Sequence, residues 1–396
     1  MTKLAILAFA CIFGVMFTAR NAVGFLTPDM APELQLEARH LGLLSAVLAG
    51  GWALSGWLLP RVIRPHWNTH TILVMLLVVL ALDCIATVFA TGFAWLLTCR
   101  LLCGIAGGPV LPLIQGVVAH SVQGERRGLH MGLVQGIGGS LIAAILAPLV
   151  LVPIAARFGW QMDFILIAVL TMCAALALRM HNMPAPSSQH AALHTHSGAA
   201  TQHDATDTVA MHSTRNILLC SLIGSLMVTW LVLATTFFPL YLTSIKQVSP
   251  EYMSVLMAVI GAGSLCGMIL LPYLSDHFGR RLMLTCAAVG ALSPAALLMD
   301  VTSIYTMSAL LFAGSLAGGT FPLFLAIVPS ESVPRHKIPS SIGMVQIACE
   351  LIGGVLAPIS AGWLAARHGL QLPVIVALCS AIAAGVLAVG IGVDRR

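Results

Sequence analysis

Apolar residues come in long runs along this chain, and the runs are too long for a soluble core. Stretches such as LAILAFACIFGVMF near the start, or LVVLALDCIATV further on, stay hydrophobic on every helical face instead of along one stripe. A helix needs about 20 such residues to cross the hydrocarbon core of a bilayer. Runs of that length predict spanning helices near 4–28, 41–60, 71–91, 93–120, 128–155 and 160–180. Six more are predicted near 215–243, 252–275, 282–300, 303–329, 338–364 and 370–393. Lys3 ahead of the first run gives it the look of a signal peptide, but no small-x-small cleavage site follows, so it is kept as a mature helix.

One stretch breaks the pattern. From His181 to Asn216 the chain reads HNMPAPSSQHAALHTHSGAATQHDATDTVAMHSTRN, with Ala, His, Thr and Ser dominant and almost no large aliphatic residue. It carries too little apolar surface to offset the cost of ordering, and reads as a polar linker. The expected division is a six-helix bundle over 1–180, a His-rich linker over 181–214 and a second six-helix bundle over 215–396.

Composition sharpens this into a multi-pass membrane protein. Hydrophobic residues make up 59% and charged residues 8%, with mean hydropathy +0.97, against about 25% charged in soluble domains. Ten cysteines, including Cys84, Cys103, Cys266 and Cys349, show no metal or disulfide spacing and read as small apolar residues. The net charge of +5 would suggest an acidic partner such as nucleic acid, but its distribution is topological. With both termini in the cytoplasm, Lys3, Arg61, Arg64, Arg126, Arg127, Arg280, Arg281 and Lys337, among others, fall inside. Only Arg39, Arg157, Lys246 and Arg367 fall outside. By the positive-inside rule this sets the orientation and puts the linker in the cytoplasm.

The two flanks repeat one another. Ala147-Pro148 and, eight residues on, Ala156-Arg157-Phe158-Gly159-Trp160-Gln161 recur as Ala357-Pro358 and Ala366-Arg367-His368-Gly369-Leu370-Gln371. Gly132, Val134 and Gln135 recur as Gly343, Val345 and Gln346, and Ala106-Gly107-Gly108 as Ala317-Gly318-Gly319. Paired internal copies of a six-span unit are a known plan for secondary transporters. PYLSDHFGRR, Pro272 to Arg281, resembles the loop motif of the major facilitator superfamily. Arg100, Gly104 and Gly108 resemble its span-4 motif with Cys103 in place of a common Gln, and GGVLAPISAG, Gly353 to Gly362, resembles a diluted Gly-Pro motif. The resemblance implies an all-α membrane fold of 12 transmembrane helices in two pseudo-symmetric bundles. It also implies that spans 1, 4, 7 and 10 line a central cavity. RNAVGFLTPDMAPELQL, GLLSAVLAGGWALSG and RLLCGIAGGPVLP resemble, within the superfamily, the anion:cation symporters that move sugar acids and other organic anions. That group usually carries Asp before the span-1 Arg and Glu in span 4; here those positions hold Ala19 and Gly107. Proton coupling, if kept, must then use another carboxylate.

The charged residues inside spans are few enough to weigh singly. A guanidinium near mid-membrane costs roughly 2.5 kcal/mol or more, so Arg20 and Arg100 should face protein or water. Arg20, about eight residues from the outer end of its predicted span, has a donor fork that matches a carboxylate. The alternative is a snorkelling or structurally paired arginine. Arg100 can serve substrate or coupling, or pair with Asp83 in span 3. Glu350, close to mid-membrane in span 11, can load and release a proton, or be a hydrogen-bonded structural acid. Trp230, the span-7 counterpart of Arg20, and Thr235 are candidates to cover the apolar body of a solute. Gln135 and Gln346 are candidate ligands or helix–helix hydrogen-bonders.

At the end of span 8, Asp276, Gly279, Arg280 and Arg281 form the loop motif, which the resemblance makes a latch between the halves. In the first-half copy Arg64 replaces the acid and Trp67 the glycine, so one latch of two should hold. HAALHTH, His190 to His196, invites a metal reading, but a chain of this composition gives it no scaffold and no metal or cofactor is expected. No GxxxxGK[ST] loop and no nucleophile–base set mark an ATPase or a membrane enzyme. The expected function is proton-coupled uptake of a small organic (carboxylate) anion by a monomer in the cell inner membrane. The alternative is a proton-driven drug or metabolite exporter of the same fold. Single cysteines at Ser197 and Gln247 in a cysteine-free background test the orientation. An impermeant reagent on intact cells is expected to label Gln247→Cys only, and labelling at 197 but not 247 would overturn it.

Overall fold

Every regular element among the described residues is helical. The computed structural model describes residues 3–62, 68–121, 134–180, 206–299, 301, 303–334 and 337–392. The linker over 181–205, with its histidines, and Arg64, Trp67, Arg126 and Arg127 lie outside the described residues.

Among the described residues, twelve helices are long and apolar enough to span a membrane. In the first half they are α1 (Leu7–Glu33), α2 (Ala38–Leu59), α3 (Thr69–Val88), α4 (Phe93–Ile114), α5 (Gly136–Phe158) and α6 (Trp160–Met180). In the second half they are α7 (Thr214–Ser244), α8 (Pro250–Phe278), α9 (Arg280–Leu298), α10 (Ile304–Ser332), α11 (Ser340–His368) and α12 (Gln371–Ala388). Each coincides with a predicted span, because about 20 apolar residues in lipid must satisfy their backbone internally and only a helix does so within one segment. Leu82, Phe89, Val169, Leu176, Ile269 and Val386 remain exposed on the outside of the bundle, as lipid-facing positions should.

Boundaries moved in two places that matter. The first span runs on to Glu33 through Pro28 and Pro32, so Arg20 lies thirteen positions from each end, at the midpoint of the helix. The helix containing α7 starts at Thr206, inside the stretch read as linker over 181–214. Between Thr206 and Ile223 the sequence holds no Pro or Gly, so nothing in that stretch stops a helix.

The halves meet chiefly along α1 with α7, α2 with α11, and α5 with α8, with a smaller contact of α2 with α7. Glycine makes these seams close. A Cβ on Gly24 would strike the backbone carbonyl of Thr235, and one on Gly42 that of Pro358, while a Cβ on Gly362 would lie 3.2 Å from the Cα of Gly42. With little hydrophobic drive between helices in lipid, such backbone-to-backbone packing is what holds them together. Two of the seam helices carry π-helical turns, Gly136–Leu146 in α5 and Glu350–Leu356 in α11. The repeat slips here. Ala147 lies twelve positions after Gln135, whereas Ala357 lies eleven after Gln346, and wide turns can absorb the odd residue.

Gly42→Val puts a branched side chain where α11 already presents its backbone. Spin labels at Glu37 and His368 are expected to report a longer distance in that variant than in the parent. An unchanged distribution would mean that the glycine contact does not close this end.

Candidate functional site

A cavity of about 530 Å³, its mouth included, opens between the halves around Arg20. Its wall comes from α1, α2, α4 and α7. The expected contribution of span 10 is absent from the lining, and α2 takes its place: the glycine contacts pull α2 against α11 and bring Leu41, Leu44, Ser45 and Leu48 to the wall.

Arg20 is the cavity arginine with a carboxylate in ionic contact among the described residues. Its Nη2 lies 3.6 Å from Oε2 of Glu350 on α11, with the two side chains 13% and 9% exposed. That is an ionic contact across the seam, longer than a hydrogen bond. The guanidinium also sits 4.3 Å from the ring centroid of Trp52 and 5.5 Å from that of Phe17. A desolvated cation–π contact contributes about 2 kcal/mol. Phe17 precedes Arg20 by three positions and so shares its face of α1.

Glu350 begins the π-turn of α11, and Gln346 one turn earlier donates to its Oε1 at 3.4 Å. Its Oε2 has no hydrogen-bond partner among the described residues. That oxygen lies over Gly354, where a Cβ would be 2.9 Å from it and 3.0 Å from the Cβ of Ala49 on the cavity wall.

Arg100 lines the same cavity and is 1% exposed. Its Nη1 donates to the carbonyl of Ala19 at 3.1 Å, while Nε and Nη2 have no partner among the described residues. The pairing with Asp83 weighed from sequence is not formed: Asp83 is 3% exposed and neither of its oxygens has a hydrogen-bond partner among the described residues. Across the cavity Thr235 reaches the wall with its hydroxyl bonded to Leu231 O at 3.1 Å, and Ser45 shares a 2.9 Å hydrogen bond with Thr236 that joins α2 to α7.

Three predicted ligands are elsewhere. Trp230 is fully buried within the second half, where its Nε1 donates to Gly290 O of α9 at 3.0 Å. An indole in a core keeps its N–H satisfied, and that bond turns it away from the cavity. Gln135 and Gln346 do not line the cavity, although Gln346 reaches it through Glu350. Trp52, Ser45 and Asn21 were missed. Trp52 sits in a Gly-Gly-Trp run, and close-packed glycines beside one large aromatic were its available signal.

At the far end of the second half Arg280 ties three helices. It donates to Asp276 and Ser275 of α8, and its Nη2 lies 2.9 Å from Oε1 of Glu331 on α10. Gly279 makes the corner with φ +93°, a backbone state that favours glycine. Each of these partners belongs to the second half; Arg281 is exposed. Glu331 escaped notice because it lies more than fifty residues from the motif it completes.

The profile of the Major Facilitator Superfamily matches residues 8–358. The chain belongs to the major facilitator superfamily. Among solved structures it resembles the nucleoside transporter NupG, with TM-score 0.74 at 16% identity, covering 98% of each chain. It also resembles a bacterial homologue of the human lysosomal transporter Spinster in an inward-facing and occupied conformation, with TM-score 0.71 at 15% identity, covering 98% of this chain and 95% of that one. At such identities the likeness is one of fold. In sequence it is 29% identical over 169 residues to a hexuronate transporter of Bacillus subtilis (strain 168), 42% of this chain and 39% of that relative's length. It is 23% identical over 354 residues to a chloramphenicol resistance protein of Streptomyces lividans, 87% of this chain and 85% of that one. The superfamily member is thus a multi-pass secondary transporter and not an enzyme.

The two positions at which this transporter departs from the anion:cation symporter pattern have a shared physical account. Ala19 is fully buried and its carbonyl takes the Arg100 donor. A Cβ on Gly107 would stand 2.7 Å from the Trp52 ring, so the indole that faces Arg20 occupies the space a span-4 carboxylate would need. Gly107→Leu is expected to lower stability by about 1–3 kcal/mol through overpacking. Trp52→Ala in the same chain should recover part of that loss, as read by thermal unfolding in detergent. Equal loss in the single and double variants would show that the two side chains do not compete.

Proposed function

We propose that this transporter takes up a small organic anion together with protons, Arg20 holding the anionic group and Glu350 carrying the proton. The observation behind this reading is the Arg20–Glu350 contact at 3.6 Å at the edge of the cavity. A carboxylate entering the cavity is chemically equivalent to Glu350 and can replace it at the Arg20 fork, where two parallel hydrogen bonds favour a planar anion. Glu350, once released into a site with little water, is then unfavourable as a bare charge and is neutralised by a proton. Anion and proton thereby support each other's binding, which is what symport requires. The partial likeness to a hexuronate transporter supports the same solute class.

The end closed by Gly42 and Pro358 is the end that the basic residues assign to the outside, in a monomer of the cell inner membrane. Asp276, Gly279, Arg280 and Arg281 then act at the cytoplasmic ends, with Glu331 as a further member. Asp83 stands as a second coupling acid behind Arg100. The likeness to a chloramphenicol resistance protein favours a second reading, export of an uncharged compound, against which the two arginines at the cavity argue.

Arg20→Lys keeps the charge and loses the fork, so anion binding is expected to weaken by about 1–3 kcal/mol. Glu350→Gln mimics the protonated acid and is expected to abolish accumulation under a pH gradient while exchange across a proteoliposome membrane continues. A thermal-shift screen of carboxylates, sugars and cationic drugs comes first. Stabilisation by chloramphenicol-like compounds alone, or normal anion binding by Arg20→Lys, would transfer support to the exporter.

A further inference from the structure

Away from the cavity, a second group of acids meets at the end of the first half that the basic residues assign to the outside. There the last turn of α1 packs on the first turn of α6. Glu33 accepts from Trp160 Nε1 at 2.6 Å and from Gln161 Nε2 at 2.9 Å, so both of its oxygens are engaged. The two helices cross the membrane in opposite directions. Stepping back one turn from Glu33 and forward one turn from Trp160 therefore reaches the same depth. Those steps land on Asp29 and Asp163.

Asp163 is fully buried, and neither of its oxygens has a hydrogen-bond partner among the described residues. A carboxylate in the first turn of a helix is ordinarily answered by the free amides there, but Asp163 accepts from none of them. Oδ2 of Asp29 is likewise buried without a partner, while the residue itself lines a cleft between α1, α7 and α8. The charge whose field reaches Asp163 is that of Asp29, and it has the same sign.

The surrounding elements supply no answering cation. The arginines that form ion pairs among the described residues, Arg20, Arg39 and Arg280, do so with other acids. On α3 the buried group is another acid, Asp83, and Arg157 at the end of α5 is exposed. Arg100 of α4 lies 5.9 Å from the ring centroid of Phe164 and donates to Ala19 O. Around the cleft, Leu240, Thr243, Ser244 and Pro250 are uncharged, Lys246 donates to Met299 O, and Glu251 is exposed. Nδ1 of His40 accepts from the Glu37 amide. Among the described residues no group of three His, Cys, Asp or Glu is placed to hold a metal ion. The cation that fits is a proton.

We infer that Asp29 and Asp163 form a proton-binding site at the outer end of the first half, one proton shared between them and holding the tip of α1 against α6. Two bare carboxylates facing each other away from water repel, whereas one acid and one carboxylate make a charge-assisted hydrogen bond. The proton arrives from the outer water through the cleft that Asp29 lines. Its loss leaves two like charges, and the tip of α1 is the part that gives, because Pro28 and Pro32 remove backbone donors from that turn. The site is nine positions from Arg20, uses neither Arg20 nor Glu350, and assumes nothing about the solute.

The sign follows from linkage. Above the range in which free carboxylic acids ionise, the folded pair still holds a proton that the unfolded chain has released, so stability falls as pH rises. Unfolding of the purified full-length chain in mixed micelles, from mildly acidic to mildly alkaline buffer, is expected to show this fall. Asp163→Asn and Asp29→Asn are expected to flatten it, by up to tenfold in the unfolding equilibrium constant per pH unit, the dependence of one proton. Glu350→Gln is expected to keep the wild-type slope. Infrared spectra at neutral pH are expected to show the C=O stretch of a protonated carboxyl that is lost in Asp163→Asn and kept in Glu350→Gln. A wild-type spectrum without such a band would overturn the inference even where a variant does not fold. So would a slope and band unchanged in both Asn variants. A band lost in Glu350→Gln and kept in Asp163→Asn would overturn this site and leave the proton on Glu350 standing.

Discussion

A positive charge at the midpoint of a membrane helix must be answered from within the protein. Arg20 is thirteen positions from either end of α1, and the answer comes from the opposite half of the molecule, where α11 presents Glu350. Trp52 and Phe17 cover the guanidinium from the first half. The pair therefore has one member on each side of the seam. Any motion that parts α1 from α11 either exposes two unpaired charges, at a cost of several kcal/mol, or proceeds with something else in the place of one of them. The glycine-lined contacts of α2 with α11 and of α1 with α7 bring the two charges within reach, so the packing and the electrostatics depend on one another.

The rest of the cavity follows from how that charge is housed. An aromatic ring against Arg20 needs volume, and Gly107 provides it. The second arginine is held at the cavity wall by the backbone carbonyl of Ala19, which accepts from its Nη1. Sequence positions that look like losses against the symporter pattern are thus parts of one arrangement in which aromatic and backbone groups surround two cations.

The helices were legible in the sequence because lipid imposes a length and an all-round hydrophobicity that a single chain displays on its face. Arg20, Arg100 and Glu350 were legible for the complementary reason: charges inside such runs are costly and therefore few. What could not be read were relations between runs. Trp230 follows Arg20 in the internal repeat, yet it turns into its own half to bond Gly290, since repeat symmetry fixes a helix position and not a neighbour. Span 10 was expected at the cavity and α2 is found there, which depends on the meeting of Gly42 and Pro358. Glu331 joins Arg280 over a separation of 51 residues, beyond any local pattern. The ends of α1 and α7 shifted because proline inside a membrane helix, and polar residues before one, do not oblige it to stop.

The Arg280 cluster bears on where the molecule can yield. By tying the ends of α8, α9 and α10 together it makes that corner of the second half a stiff plate, with Gly279 fixing the bend. A stiff plate transmits a push without absorbing it. Displacement then concentrates at the surfaces between the halves, where backbone meets backbone at Gly24 and Gly42 and the Arg20–Glu350 and Ser45–Thr236 contacts are what must part. The seam behaves as a fitted bearing with two catches: narrow in tolerance, and sensitive to a single added methyl group at Gly24 or Gly42.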